Sequence, residues 1–218
     1  MIIEKHLLGK QFRCGCPVEQ TYPYVKENNN EYNIYYLTKG GCFVTPSMSH
    51  PKSDCPIQQY QKFFEQMQFE KVVTTFYCFD CYLPEPKLAE QRLKEIAQRI
   101  AEYDMFLQFI KNKSKEIFLI LGEPKGDEFD PKLTVRFNLK NFVKTDKIRE
   151  QYKTHDYALK QLTELNGITI IDPISHLCDE YCYTRDQSNK FYYKDSNHMR
   201  PWYAKKFLTY FNTFAKMS

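Results

Sequence analysis

The apolar positions of this chain alternate between short runs and helical spacings. Runs of apolar, β-branched and aromatic residues predict four strands, at 33–37, 71–77, 116–121 and 168–171. Apolar residues at steps of three and four predict five helices, at 1–12, 57–69, 87–113, 145–165 and 201–215. Strands separated by helices of this length predict an α/β fold with a doubly wound, mostly parallel sheet.

Ligands of such sheets bind beyond the carboxyl ends of the strands. Four chemically notable segments map to that edge: Gly40-Gly41, Phe79-Asp80, Glu123 and the loop 195–198. Residues 172–194 have no clear periodicity and are interpreted as irregular. The predicted order therefore places the candidate chemistry at one edge of the sheet.

Length and charge narrow the class of protein. The chain has 218 residues, of which 42% are hydrophobic, and this predicts one globular domain over residues 1–218. The net charge of +4 comes from 31 basic and 27 acidic residues that are interspersed, which argues against nucleic-acid binding. No apolar run reaches the roughly 20 residues of a membrane helix, and residues 1–8 do not resemble a signal peptide. No cofactor or metal is expected.

The chain contains eight cysteines, which stand mostly in predicted loops. An even number of loop cysteines indicates disulfides and an oxidising compartment. Bonds between Cys42 and Cys55 and between Cys178 and Cys182 would each close a local loop. The other disulfide candidates are Cys14, Cys16, Cys78 and Cys81. The alternative is a zinc site, because Cys14-x-Cys16 and Cys78-x-x-Cys81 could supply four thiolates.

Asp195-Ser196-Asn197-His198, shortly before the last predicted helix, is the strongest catalytic candidate. A histidine that takes a proton from a nucleophile needs a carboxylate to hold its tautomer, and Asp195 is close enough to do so. The alternative is structural, because Asp195 could also cap the last helix.

From about residue 32 to 214 the chain resembles the SGNH domain attached to membrane-bound acyltransferase-3 proteins, which O-acylate bacterial surface polysaccharides. The matching residues are the strands that lead to Cys42 and to Tyr77, the segments 117–124 and 168–173, the pair Cys178 and Cys182, and the block 191–199. The resemblance implies a three-layer α/β/α SGNH hydrolase fold, a flavodoxin-like arrangement. It implies that Asp195 and His198 belong to a catalytic triad and that Gly40 or Gly41 donates to the oxyanion. It also implies a polysaccharide substrate, an acyl donor, an upstream membrane acyltransferase domain and an extracytoplasmic location.

The sequence departs from the family at the nucleophile. No Gly-Asp-Ser block is present, Asp80 stands where many members have Asn, and four predicted strands are one fewer than the five of the family. We therefore expect an N-terminally incomplete domain that lacks the first strand. The nucleophile remains unknown, since the serines at 47, 49 and 196, with His50, and the cysteines at 14 and 16 are weak candidates.

Two functions follow from these observations, and a third is weaker. The first is the SGNH portion of a polysaccharide O-acyltransferase or esterase. The second is a catalytically inactive SGNH-like binding module. The third is a zinc-stabilised intracellular protein.

Overall fold

The computed structural model describes residues 2–4, 33–35, 37, 42, 45, 47, 54–75, 79 and 89–212. In this part of the chain the strands are β1 (Ile2–Glu4), β2 (Asn33–Tyr35), β3 (Phe69–Thr75), β4 (Ser114–Ile120), β5 (Phe142–Lys144), β6 (Thr169–Ile171) and β7 (Tyr181–Tyr183). The helices are α1 (Ile57–Gln66), α2 (Ala89–Lys111), α3 (Pro131–Phe137), α4 (Thr145–Asn166), α5 (Pro173–Leu177) and α6 (Pro201–Phe207). Single 3-10 turns cover Asp127–Phe129 and Thr209–Phe211.

The main sheet of the described residues has the strand order β2-β1-β3-β4-β6. Strand β1 is antiparallel to both neighbours, with Ile2 opposite Tyr35 on one side and Val72 on the other. Strands β3, β4 and β6 form the parallel, three-stranded part of this sheet. If these five strands are numbered 1 to 5 by their order along the chain, their order across the sheet is 2-1-3-4-5, which is the strand order of flavodoxin-like folds. The predicted α/β class is confirmed.

Seven of the predicted elements are present within a few residues of their expected positions. They are the strands β2, β3, β4 and β6 and the helices α1, α2 and α4. The apolar run at 116–121 predicted strand β4 correctly. The last four residues of this strand are all buried, as expected for a strand covered on both faces.

The predicted helix over residues 1–12 is wrong where the structure describes this segment. Residues Ile2–Glu4 form a strand, and the rest of the segment lies outside the described residues. The strand has a partner on each side, so its backbone hydrogen-bonding groups are satisfied by two neighbours that are distant in sequence. Such pairing overrides a weak local preference. Among the described residues the sheet accordingly has five strands, against the four predicted.

The last helix is shorter than predicted, and the segment 172–194 is more regular. Helix α6 ends at Phe207 and a 3-10 turn follows. The segment predicted to be irregular contains α5 and β7. Asp172 caps α5 by accepting a hydrogen bond from the Ile174 backbone N–H at 3.0 Å, and a proline follows it at the first helical position.

The chain falls into two compact units. The first comprises residues 1–14, 32–119 and 155–170, and the second comprises residues 15–31, 120–154 and 171–218. The expectation of a single domain stays a prediction.

The first unit has a core of aromatic and aliphatic side chains from α1, β3, α2 and β4. Its fully buried members include Val73, Leu107, Ile110 and Leu119.

The second unit contains α3, α5, α6 and the two-stranded antiparallel sheet of β5 and β7, in which Val143 is opposite Cys182. Its core includes Phe129, Ile148, Ile174, Tyr193, Leu208 and Phe211.

Candidate active site

Asp195 and His198 are directly hydrogen-bonded in the second unit. The Nδ1 atom of His198 lies 2.7 Å from Oδ1 and 2.8 Å from Oδ2 of Asp195. Both side chains are partly accessible, with 28% of the histidine side chain and 41% of the aspartate side chain exposed. The pair is therefore reachable from solvent.

The carboxylate of Asp195 also organises the loop around it. Its Oδ1 atom accepts the backbone N–H of Asn197 at 3.0 Å and that of His198 at 2.9 Å. Short polar side chains that accept from backbone two or three residues on are typical of tight turns. The same oxygen therefore shapes the loop and holds the imidazole.

The pKa of Asp195 is lowered from its ordinary value by these contacts. Partial desolvation is the largest single influence and acts to raise the pKa, but the hydrogen bonds from Asn197 and from the ring and backbone of His198 together outweigh it. An ionised carboxylate can only accept hydrogen bonds, so Nδ1 of a neutral His198 carries the hydrogen. Its Nε2 atom then carries the lone pair, as a general base requires.

Asp195 does not cap the last helix. Helix α6 begins at Pro201, and Arg200 occupies the position before it. The alternative prediction, that Asp195 caps the last helix, is therefore wrong. Its carboxylate accepts hydrogen bonds from backbone N–H groups of the loop and not from those of the helix.

The loop lies against the turn that follows the carboxyl end of β4. The backbone N–H of Gly126 donates to the carbonyl of Ser196 at 2.9 Å, and the hydroxyl of Tyr193 donates to the carbonyl of Pro124 at 2.6 Å. Tyr193 and Met199 form an isolated antiparallel bridge that flanks the loop, and both side chains are buried. Buried side chains on either side leave the polar Asp195–His198 segment between them at the surface.

Sequence reasoning placed Glu123 at the sheet edge but missed its burial. Only 5% of this residue is exposed, and its Oε1 atom accepts the hydroxyl of Tyr210 at 3.0 Å. Desolvation raises the pKa of Glu123 to about 8, although the Tyr210 hydrogen bond and the charge of Lys125 act to lower it. Burial also lowers the pKa of Lys125 to about 8, against the opposing charge of Glu123. The signal in the sequence was a charged residue between Gly122 and Pro124 directly after a buried strand.

The structure places only some of the other candidate residues. Disulfides join Cys42 to Cys55 and Cys178 to Cys182, with Cα atoms 5.4 and 4.5 Å apart. The candidate residues that lie outside the described part of the chain are Gly40, Gly41, Ser49, His50, Asp80, Cys14, Cys16, Cys78 and Cys81.

No nucleophile is attached to the pair in the described part of the chain. There, no hydroxyl or thiol group is hydrogen-bonded to Nε2 of His198. The hydroxyl of Ser47, one of the candidates, instead donates to the carboxylate of Glu102. Ser196 contributes its backbone carbonyl to the loop contact with Gly126.

Two further properties of the described residues concern metals and membranes. They contain no group of three or more His, Cys, Asp or Glu side chains arranged to hold a metal ion. Among their helices, none combines the length and the apolar composition needed to cross a bilayer.

The solved periplasmic domain of a lipopolysaccharide acetyltransferase from Salmonella ser. Paratyphi A is similar in structure. The TM-score is 0.63 at 16% sequence identity, and the match covers 92% of this chain and 78% of that domain. At this identity the likeness concerns the fold. No curated protein sequence matches the chain significantly. The family model described as the SGNH domain fused to AT3 domains matches residues 20–212. Because this match extends over most of the chain, the protein belongs to the family of SGNH domains that are fused to AT3 domains.

Proposed function

We propose that this domain supplies the acid–base pair for O-acyl transfer to, or removal from, a cell-surface polysaccharide. The observation that supports it best is the hydrogen bond between Asp195 and Nδ1 of His198, which leaves Nε2 of a neutral ring available as a base. Membership of a family fused to AT3 domains supports acyl transfer as the reaction. The acetyltransferase neighbour acts on a lipopolysaccharide, which supports a glycan as the acceptor class.

In the proposed reaction the Nε2 atom of His198 takes the proton of an attacking hydroxyl group. The hydroxyl oxygen forms a bond to the acyl carbonyl carbon, the bond from that carbon to the departing oxygen breaks, and the resulting imidazolium returns the proton to the departing oxygen. Asp195 keeps the ring in one tautomer and stabilises its charged form. Gly40 or Gly41 remains the proposed oxyanion donor, on the basis of the family pattern.

The proposed location is outside the cytoplasm, beside a membrane acyltransferase domain. Two disulfides in the described residues support an oxidising compartment, since such bonds are rare in reducing ones. The periplasmic origin of the structural neighbour agrees with this location.

The test measures acyl groups on the surface polysaccharide of the cell that produces the protein. His198→Gln should lower them to the level of a strain without the gene, because the variant keeps a polar side chain but has no base. Lys194→Ala is the matched control, since Lys194 is an exposed neighbour in the same loop and contributes only its backbone N–H there. Normal acylation with His198→Gln, in a cell where deletion of the gene lowers it, would overturn the proposal.

A second candidate is a non-catalytic module that binds the polysaccharide. It is favoured by the lack of a Gly-Asp-Ser block in the sequence. This function predicts that the purified chain binds the polysaccharide and that His198→Gln changes neither binding nor acylation in the cell.

A further inference from the structure

Several hydrogen bonds within the loop that carries Asp195 and His198 fix its internal shape. The backbone N–H of Lys194 donates to the carbonyl of His198 at 2.9 Å, which closes the loop. The Asp195 carboxylate accepts two backbone N–H groups from the same loop. Because donors and acceptors all lie between residues 194 and 198, these bonds do not determine where the loop sits on the second unit.

Two hydrogen bonds connect this stretch to the turn after β4. One runs from the Gly126 backbone N–H to the carbonyl of Ser196, at 2.9 Å. The other runs from the Tyr193 hydroxyl to the carbonyl of Pro124, at 2.6 Å. The second is the shorter one, and it comes from the residue that directly precedes the loop.

The side chain of Tyr193 is suited to hold this position. Only 1% of the residue is exposed, and its ring centroid lies 4.8 Å from that of Phe129. Burial raises the pKa of its hydroxyl well above the ordinary value, so the group stays protonated and can donate. A buried hydroxyl without a partner is costly, and the Pro124 carbonyl supplies that partner.

We propose that Tyr193 is a positioning residue, whose hydroxyl anchors the loop of Asp195 and His198 to the Pro124 carbonyl. The catalytic consequence rests on the proposed function, because a displaced base slows proton transfer. A misplacement of about 1 Å can cost about a hundredfold in rate. In the described part of the chain, the Tyr193 hydroxyl forms no hydrogen bond to the Asp195 carboxylate or to the His198 ring. Its effect on the pair therefore passes through the backbone.

Tyr193→Phe removes the anchoring hydroxyl and keeps the ring. Tyr152→Phe is a matched control, because the Tyr152 hydroxyl donates to the neighbouring carbonyl, that of Glu123, at 2.7 Å. Both variants lose one buried hydrogen bond to the same turn, so their losses of stability should be alike. Only the first loses a contact to the stretch that carries His198.

The readout is hydrogen exchange of the backbone N–H groups of Asn197 and His198 in the 218-residue chain. Tyr193→Phe should accelerate their exchange by about tenfold, and Tyr152→Phe by less than about twofold. An equal acceleration in both variants, or none in Tyr193→Phe, would overturn the proposal.

Acyl transfer provides the second readout. Tyr193→Phe should lower kcat and leave KM unchanged, since substrate contacts are not altered. If the wild-type protein shows no acyl transfer that depends on His198, the proposed function fails. The exchange comparison decides the role of Tyr193 in either case.

Discussion

The buried carboxyl of Glu123 makes the stability of the protein depend on pH in a calculable way. Its pKa is about 8 in the folded chain, against 4.5 for an ordinary glutamate. Below pH 4.5 the folded and unfolded chains both bind this proton, and the stabilisation is fully present. As the pH rises towards about 8, the unfolded chain releases the proton while the folded chain keeps it, so the unfolding free energy falls.

The magnitude follows from the two pKa values. The slope is about 1.4 kcal/mol per pH unit inside the window, and the full difference corresponds to about 5 kcal/mol. The lowering effect of the Lys125 charge is already contained in the pKa of about 8, so it does not reduce the expected loss further. The titration of Lys125 does not reverse the direction of this pH dependence. Its pKa is lowered only to about 8, so at lower pH Lys125 stays largely protonated in both the folded and the unfolded chain.

Glu123→Gln tests this reasoning, because the amide keeps an acceptor for the Tyr210 hydroxyl but binds no proton. We expect the variant to gain stability relative to the wild type by about 1 kcal/mol per pH unit between roughly pH 5.5 and 7.5. The assay is urea unfolding followed by circular dichroism at several pH values. Titrating groups that do not interact with Glu123 affect both proteins equally and cancel in the difference between them.

Glu128→Gln is the control for a glutamate in the neighbouring turn. The hydrogen bond from the Lys147 side chain is the main cause that lowers the pKa of Glu128, so its linkage to folding lies at acid pH. Its stability difference from the wild type should therefore be flat above about pH 5.5. A flat difference for Glu123→Gln as well would contradict a raised pKa of Glu123, since it would mean that the carboxyl is ionised in the folded chain without cost.

Three further predictions concern packing, the disulfides and the carboxylate of Asp195. Gly122→Ala should destabilise by about 1–3 kcal/mol in thermal unfolding, because a Cβ atom there would lie 2.3 Å from Cε1 of the Tyr152 ring; an unchanged Tm would contradict this packing. Replacement of Cys42 and Cys55 by serines should lower the free energy of unfolding by about 3 kcal/mol, since this disulfide spans a sequence separation of 13. The same replacement of Cys178 and Cys182, with a separation of 4, should lower it by about 2 kcal/mol. Urea unfolding of the two variants measures both values. The reverse order would speak against loop closure as the cause. Asp195→Asn should lower acyl transfer by about 10³-fold or more, because the amide favours the wrong tautomer of the histidine; wild-type rates would exclude a triad role for this carboxylate.

The parts of the fold that depend on local pattern could be predicted from the sequence. Strand β4 was visible as an apolar run, and α4 was visible from its spacing and from the Asn166-Gly167 stop. Strand β1 was not, because its conformation depends on partners at residues 33–35 and 71–72. Local pattern carries no information about such distant pairing.

The candidate site shows the same division. Asp195 and His198 are three residues apart, so their contact is local and could be inferred from the motif. The burial of Glu123 depends on Tyr210, which is 87 residues away, and the anchoring of Tyr193 depends on Pro124, which is 69 residues away. These contacts exist only once the second unit has folded.

If Asp195 holds His198 so that Nε2 can act as a base, the ring nitrogens report this directly. Nitrogen-15 NMR of the wild-type chain, read on the neutral form of the ring, should show hydrogen on Nδ1 and none on Nε2. In Asp195→Asn the preference should weaken or reverse, because the carboxylate that selects the tautomer is gone. A wild-type ring with its hydrogen on Nε2, or a tautomer that is the same in both proteins, would contradict the account.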